Sequence, residues 1–405
     1  MDGLADAFAV LRGPLAKLGG DAWIVGGGVR DALLGRPVMD VDVAYAGDVR
    51  AAAAAIATRA RAGRFALSER FGGWRVHGPR LGFTIDIIPL GGTLPADLAR
   101  RDFTVNALAA PVPGGDIVDL HGGRADLAQG VLKLVSPEAF RDDPVRLMRL
   151  PRQAHELGFS IDPATAERCR VDAALIDRPA PERVFDELRR LLALDSPDVG
   201  IALLAELGVL GELAPIELTG RAVATARAAA AQVDESMASE FADGLSRGAV
   251  AIWGAALAAD PSIGGAGARA WSERMKTSTK LREGLVRIVD DGISLDHEWT
   301  PDECYDLLLA RSPVEAEAVL VALAVAGSSE PRVRHAAEIL GAVRAQHLRL
   351  GAGTLVAGDL LAAHLGRQPG PWLGELIARM AREQATGRLA TPAEAILFAE
   401  TWQST

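Results

Sequence analysis

The chain has 405 residues, a formal net charge of −10, 49% apolar and 24% charged residues, and two cysteines, Cys169 and Cys304. That length calls for more than one core, and two cysteines make neither a disulfide framework nor a cysteine zinc site. The acidic total weighs mildly against a nucleic-acid binder, although local potential decides such binding, and arginines do cluster at 141–152, 183–190 and 332–349. No apolar run reaches membrane-spanning length and MDGLADAF lacks a basic-then-apolar leader, so a cytoplasmic protein with no membrane partner is expected.

Along the first 136 residues strands and helices mix. Apolar periodicity predicts helices over 4–18, 29–34 and 48–62. Strand patterns fall at Trp23–Val25, Val38–Ala44, Trp74–His77, Thr84–Ile88, Val105–Ala109 and Ile117–Val118. Between the first two strands stand Gly26, Gly27 and Gly28, followed by Arg30 at the opening of a helix. Such a turn lets backbone N–H groups approach a phosphate, and Arg30 adds a fixed cation. Asp40 and Asp42 lie two apart in the next strand, so both carboxylates share a face. Like charges held together invite a divalent cation, and Mg2+ favours a few carboxylates plus substrate phosphates. A glycine turn alone is usually only a turn, and Asp-x-Asp alone is usually a solvated edge. Their order within 17 residues is the layout of a nucleotidyl-transfer site.

Further on, Thr84-Ile85-Asp86-Ile87-Ile88 sets an aspartate in an apolar strand. It is either a surface strand-end residue or a third acid beside Asp40 and Asp42, if the strands are neighbours. Arg100-Arg101-Asp102-Phe103-Thr104-Val105-Asn106 offers arginines for a triphosphate, with Asp102 and Asn106 for ribose hydroxyls or for orienting neighbours; a plain basic cap is the alternative. After about residue 138 the strand signal nearly vanishes. Asp143 and Arg146 are spaced to share a helix face, either as a local salt bridge or as a reader of base edges. A carboxylate accepting from an exocyclic amine, beside a guanidinium donating to a ring nitrogen, fits cytosine and adenine and rejects guanine and uracil. Pro261 to Ala268, rich in Gly and Ala, reads as a loop. Gly158 and Gly208 read as helix stops.

These segments resemble the class II tRNA nucleotidyltransferases, the bacterial CCA-adding and poly(A) polymerase family. The resemblance lies in GGGVRDALLG with MDVD, RRDFTVNALA, DDPVRLMR with ELGFSI, and ERVFDELRRLL, in family order over about residues 22–192. A weaker likeness to the tail of longer members starts at Pro369. The resemblance implies an α/β nucleotidyltransferase head with a small mixed sheet, then an elongated all-α neck, body and tail. The divisions are 1–136 for the head, 137–215 for the neck, 216–330 for the body and 331–405 for a tRNA-binding tail. It implies transfer of a nucleoside monophosphate from CTP or ATP to a tRNA 3′-hydroxyl without a nucleic-acid template. Asp40 and Asp42 would hold Mg2+; Asp86, from the strand reading above, joins them as a candidate catalytic acid. Gly26, Gly27 and Arg30 would contact the triphosphate. Arg101, Asp102 and Asn106 would serve ribose and phosphates, and Asp143, Arg146 and Arg149 the base; Arg152 is a further nucleotide-binding candidate.

Three departures from the family pattern stand out. Gln153 follows Arg152 where members usually carry an aromatic, and Pro151 is expected to interrupt the helix. Only 13 residues separate Asp86 from Arg100, where complete CCA-adding enzymes hold a longer flexible loop, so addition of C alone is favoured. Ala259 stands where a metal-binding histidine of an HD phosphohydrolase would sit, and 220–296 contains no histidine, so the body reads as a degenerate HD domain. The alternatives are a complete CCA-adding enzyme, a poly(A) polymerase, and an inactive RNA-binding module that kept the fold. The intact Asp40–Asp42 pair argues against the last.

Overall fold

The computed structural model describes residues 4–67, 72–290, 298–311, 314–326, 331–350 and 354–402. Two compact units share the chain: residues 1–180 with 207–209, and residues 181–206 with 210–405. The expected body–tail boundary at 330/331 adjoins 327–330, which lie outside the described residues.

In the first unit helix α1 (Ala5–Leu18) leads into β1 (Ala22–Val25), α2 (Gly27–Leu33), β2 (Asp40–Tyr45) and α3 (Val49–Ala60). Then come β3 (Gly63–Ala66), β4 (Trp74–His77), β5 (Thr84–Pro89), α4 (Leu94–Ala99), β6 (Leu108–Pro111) and β7 (Val118–Asp119). The seven strands form one sheet in the order β3-β4-β5-β2-β1-β6-β7. Only the β2–β5 pair within it is parallel; the other pairs are antiparallel. The mixed sheet expected from the sequence is thus present. Alternation along the strands sorts side chains to two faces. Val41, Val43, Ile85 and Ile87 pack with Leu11 of α1 and Ile56 of α3. Ala44, Val25 and Ala109 pack on the other face against Leu94 and Leu98 of α4. Asp40 and Asp42, in step with Ala44, belong to that second face.

The unit continues with α5 (Gly123–Gln129), β8 (Val131–Leu132), α6 (Ala139–Asp142), α7 (Arg146–Leu157), β9 (Ser160–Ile161) and α8 (Pro163–Asp172). Gly158, at φ 68°, ends α7 as expected of a left-handed helix stop. Several expectations are corrected here. Residues 105–107 are not strand: Thr104–Asn106 is a 3₁₀ turn, and the strand starts at Leu108. Pro151 does not interrupt α7, which runs through it to Leu157 with Pro151 buried. The strand signal beyond 138 is weak but not void, since Ser160–Ile161 pairs in parallel with Val131–Leu132.

The second unit comprises α9 (Pro181–Leu192), α10 (Pro197–Glu206), α11 (Leu210–Leu213) and α12 (Thr219–Ala230), then a short hairpin of β10 (Glu240–Ala242) and β11 (Leu245–Ser246). Helices α13 (Arg247–Ala258), α14 (Gly264–Arg274), α15 (Thr279–Val289), α16 (Pro301–Arg311) and α17 (Glu315–Ala326) follow. After them come α18 (Pro331–Leu350), α19 (Gly358–His364), α20 (Pro371–Ala385) and α21 (Pro392–Thr401). Buried Trp253 and Trp271 lie 5.2 Å apart, and the Trp271 indole N–H donates to the Leu213 carbonyl at 3.1 Å. Burial of Trp271 and Ala268 draws Gly264–Arg274 into a helix, so the loop expected over 261–268 is half wrong. Asp260, beside Ala259, is 4% exposed and accepts from Glu217 N, Ser262 N and Ser262 Oγ. It is a turn-building aspartate here. Both cysteines are free and buried. No described helix is long and apolar enough to cross a membrane.

Candidate active site

The parallel pairing of β2 with β5 decides where the carboxylates meet. Its register sets Asp42 opposite Asp86 and Asp40 opposite Thr84. All three acids therefore share the face that carries α4, as the sequence anticipates for neighbouring strands. Their partners differ. Asp86 is held by Arg75 from β4 in a two-point ion pair, Nε to Oδ1 and Nη2 to Oδ2, both 2.7 Å. Asp40, exposed at the strand start, accepts from the Thr84 hydroxyl. Asp42 is only partly exposed, and burial pushes its carboxyl up from 3.8 to about 6. Arg101 pulls against that rise, while Asp86 and Asp40 add to it.

The glycine turn has a steric reason. Gly26 sits at φ 77°, and a Cβ there would meet Arg101 Nη1 at 2.6 Å and Asp42 Oδ2 at 3.7 Å. Only glycine lets the Arg101 guanidinium lie that close to the turn. Arg101 is fixed from behind by Asp97 of α4, Nη2 to Oδ2 at 3.2 Å. A Cβ on Gly28 would lie 3.0 Å from the Asp40 carbonyl, so this glycine lets α2 pack on β2.

Arg30 is anchored by buried side chains. It is 9% exposed, pairs with Asp31 and donates Nη1 to Asn106 Oδ1 at 2.7 Å and to Gln153 Oε1 at 3.5 Å. Its Nη2 lies 3.5 Å from where a Cβ on Gly27 would stand, so the guanidinium is held beside the glycine turn. Asp102 Oδ1 accepts from Phe103 N and Asn106 Nδ2, and its Oδ2 faces Arg149 Nη1 at 3.6 Å. Asp143 and Arg146 do not share a helix: Asp143 follows α6 in an extended conformation, and Arg146 opens α7. A one-helix spacing misreads this corner because Pro144 forces the preceding residue out of the α region. Arg146 donates to the carbonyls of Ala139 at 3.0 Å and Arg100 at 2.5 Å. Arg152 pairs with Glu156 at 2.5 Å.

Gln153, Arg75, Thr84 and Asp97 escape the sequence reading as site residues. Arg75 carried a signal, since Trp74–His77 alternates beside a strand holding an apolar-flanked aspartate. Gln153 carried one too, four residues after Arg149 and so on the same helix face.

Do these residues fit a divalent cation? Asp42, half-buried beside two other acids and pushed toward its neutral form, is a carboxylate that a cation would relieve. Among the described residues no group of three or more His, Cys, Asp and Glu is arranged to hold a metal. Two available carboxylates nonetheless suit a divalent cation whose remaining ligands water and phosphate oxygens would supply. With Arg75 occupying Asp86, the fit is to Asp40 and Asp42.

Two family patterns and several known proteins match the chain. The pattern described as "Poly A polymerase head domain" matches residues 22–84 and 88–133. That described as "Probable RNA and SrmB- binding site of polymerase A" matches 158–216. The chain is 35% identical to the CC-adding tRNA nucleotidyltransferase of Geobacter sulfurreducens, over 94% of this chain and 92% of that one. It is 30% identical to the A-adding tRNA nucleotidyltransferase of Deinococcus radiodurans, over 96% and 98%. Its fold matches the Thermotoga maritima CCA-adding enzyme complexed with tRNA at a TM-score of 0.76 and 21% identity, covering 97% of this chain and 94% of that one. A glycine turn beside two carboxylates on one sheet face, and kinship over more than nine-tenths of the chain, lead to one assignment: the chain belongs to the class II tRNA nucleotidyltransferases.

Proposed function

We propose that this enzyme adds the two cytidines of the tRNA 3′ end from CTP and does not add the terminal adenosine. The observation that carries the reading is α4. Of the short stretch between Asp86 and Arg100, Leu94–Ala99 is a formed helix rather than a free loop. Thr93 caps it by accepting from Ala96 N, and Pro95 lies in its first turn. Leu98 is fully buried and Leu94 nearly so against the sheet, and Asp97 grips Arg101. Moving the base site from cytosine to the larger adenine needs a segment with reach and freedom, and α4 is pinned at both. The CC-adding relative from Geobacter sulfurreducens supports the same choice.

The site residues then take these roles. Asp40 and Asp42 would hold Mg2+, which would polarise the α-phosphate and acidify the 3′-hydroxyl. Asp86, tied to Arg75, keeps the local charge balanced beside Asp42. Arg101, held by Asp97 beside Gly26 and Gly27, meets the triphosphate, while Arg30 braces the turn from within. Asp102 and Asn106 receive the ribose, and Asp143, Arg146 and Arg149 read the amine and ring nitrogen of cytosine. Arg146 must release a backbone carbonyl to do so. Arg152 supports the helix through Glu156. We assign residues 137–215 to a neck, 216–330 to a body and 331–405 to a tail that grips tRNA, in the cytoplasm where charged and uncharged tRNA circulate.

The test offers each labelled nucleoside triphosphate in turn, with Mg2+, to a tRNA transcript ending at the discriminator base. CMP should be incorporated twice and then stop, and UMP and GMP should not be. Absence of CMP incorporation by the unaltered protein would remove the reading; AMP addition to a CC end would then mark an A-adding enzyme, and its absence too would leave an inactive RNA-binding module.

A further inference from the structure

Helix α7 turns one more polar side chain into the protein. Gln153 is 6% exposed, and its Oε1 accepts from Asn106 Nδ2 at 2.9 Å and from Arg30 Nη1 at 3.5 Å. The chemistry of the two ends fixes every atom between them. Arg30 can only donate, so the Asn106 atom 2.7 Å from it is the amide oxygen. The Asp102 carboxylate accepts, so the Asn106 atom 2.9 Å from it is the amide nitrogen. The Gln153 atom that meets two donors is then its oxygen. Asp102 Oδ1 is filled by Asn106 and the Phe103 N–H, which leaves Oδ2 toward Arg149.

Three elements converge through this chain: α2 by Arg30, the 3₁₀ turn by Asn106 and α7 by Gln153. Arg149 and Gln153, four apart, lie on one face of α7. That face both anchors the helix and presents Arg149 to the site. A buried network in which each donor has its acceptor holds its members in one orientation; removing one acceptor leaves donors unmatched and frees the rest to turn.

We propose that Gln153 is a positioning residue for nucleotide selection, holding Asn106, and through it Asp102 and Arg149, in the orientation that receives the ribose and base of CTP. The proposal rests on the nucleotidyl-transfer reading of the site. Gln153 itself touches no substrate.

Two substitutions separate positioning from packing. Gln153→Met keeps the length and removes the acceptor. Gln153→Glu keeps the oxygen and sets its charge against Arg30, already within the cluster. The assay is initial-rate CMP addition to a tRNA transcript ending at the discriminator base, with Mg2+, CTP varied and UTP in competition. Wild-type CMP addition tests the parent reading by itself; only the variants, compared with an active wild type, test Gln153. Gln153→Met is expected to raise KM for CTP about tenfold and UMP misincorporation by a similar factor, with KM for tRNA unchanged. Gln153→Glu is expected to recover most of the CTP KM. In an Arg149→Lys background Gln153→Met should add far less than its single effect, because both act through one chain of contacts. Three results overturn the proposal: wild-type KM and UTP discrimination in Gln153→Met, equal losses in Met and Glu that follow thermal stability and tRNA KM, or full additivity with Arg149→Lys. If Gln153→Met does not fold, Gln153→Ala, which adds no bulk, answers the same questions.

Discussion

Replacing Asp42 by asparagine separates what the carboxylate costs from what it does. Without a divalent cation the folded head must keep Asp42 half-buried near Asp40 and Asp86, which raises its pKa from 3.8 to about 6. Because the folded value lies above the unfolded one, the folded head retains a proton that the unfolded chain has already released. The stability that proton provides is complete below about pH 4 and is lost as pH rises to about 6. At about 1.4 kcal/mol per pH unit, the whole interval is worth at most about 3 kcal/mol. Solvent reaching the partly exposed side chain lowers that, so Asp42→Asn in EDTA near neutral pH should stabilise the head by about 1–3 kcal/mol. Near pH 4 the two proteins should converge. A chain of two units need not unfold in one step, so the readout is hydrogen exchange of the β1, β2 and β5 amides rather than a global melt. The gain corresponds to exchange slowed by roughly tenfold to a hundredfold. Added Mg2+ should then stabilise wild type and not Asp42→Asn. A variant less stable than wild type in EDTA at neutral pH would refute the burial argument. A wild type indifferent to Mg2+ would refute the metal assignment.

Other consequences are more direct. Asp40→Ala and Asp42→Ala should each lower CMP addition by orders of magnitude while circular dichroism stays unchanged, since each removes a carboxylate that would hold the metal; near-wild-type turnover in either removes that role. Asp143→Ala should cut discrimination of CTP against UTP by roughly tenfold to a hundredfold, the worth of one lost base-edge contact; retained selectivity with lost stability would make Asp143 an ordinary corner residue. Asp260→Ala should destabilise the second unit by about 1–3 kcal/mol, because three donors lose their acceptor, yet leave the rate of CMP addition per folded molecule unchanged. A metal-dependent phosphodiesterase activity lost in Asp260→Ala would instead show a working hydrolase in the body.

Much of the head was legible because its signals are local. Trp74–His77 alternates cleanly and is a strand with those bounds. The glycines and the Asp-x-Asp pair stand next to each other in sequence and in space. What escaped depended on tertiary partners. Val105-Asn106-Ala107 is apolar enough for a strand, but Asn106 is buried with Arg30, Asp102 and Gln153 and the chain turns as a 3₁₀ helix there. Leu94–Ala99 is too short to show helical periodicity, and two leucines buried on the sheet hold it in shape. The Gly/Ala run before Trp271 looked like a loop because small residues favour close packing and turns alike. Gln153 looked like a flaw in the base site because an aromatic was expected; its meaning lies in a hydrogen bond to a residue 47 positions earlier. Asp143 and Arg146 have the spacing of a helix pair, and Pro144 breaks that geometry.

The measurement that bears most directly on the account is the single-turnover reaction of a tRNA transcript ending in CC with ATP and Mg2+ alone, beside CMP addition to a transcript ending at the discriminator base. With α4 capped by Thr93, buried through Leu98 and tied to Arg101 through Asp97, the account predicts prompt addition of two cytidines and negligible AMP addition. Formation of a CCA end at a rate comparable to C addition would contradict it and identify a complete CCA-adding enzyme whose pocket takes adenine without a moving loop.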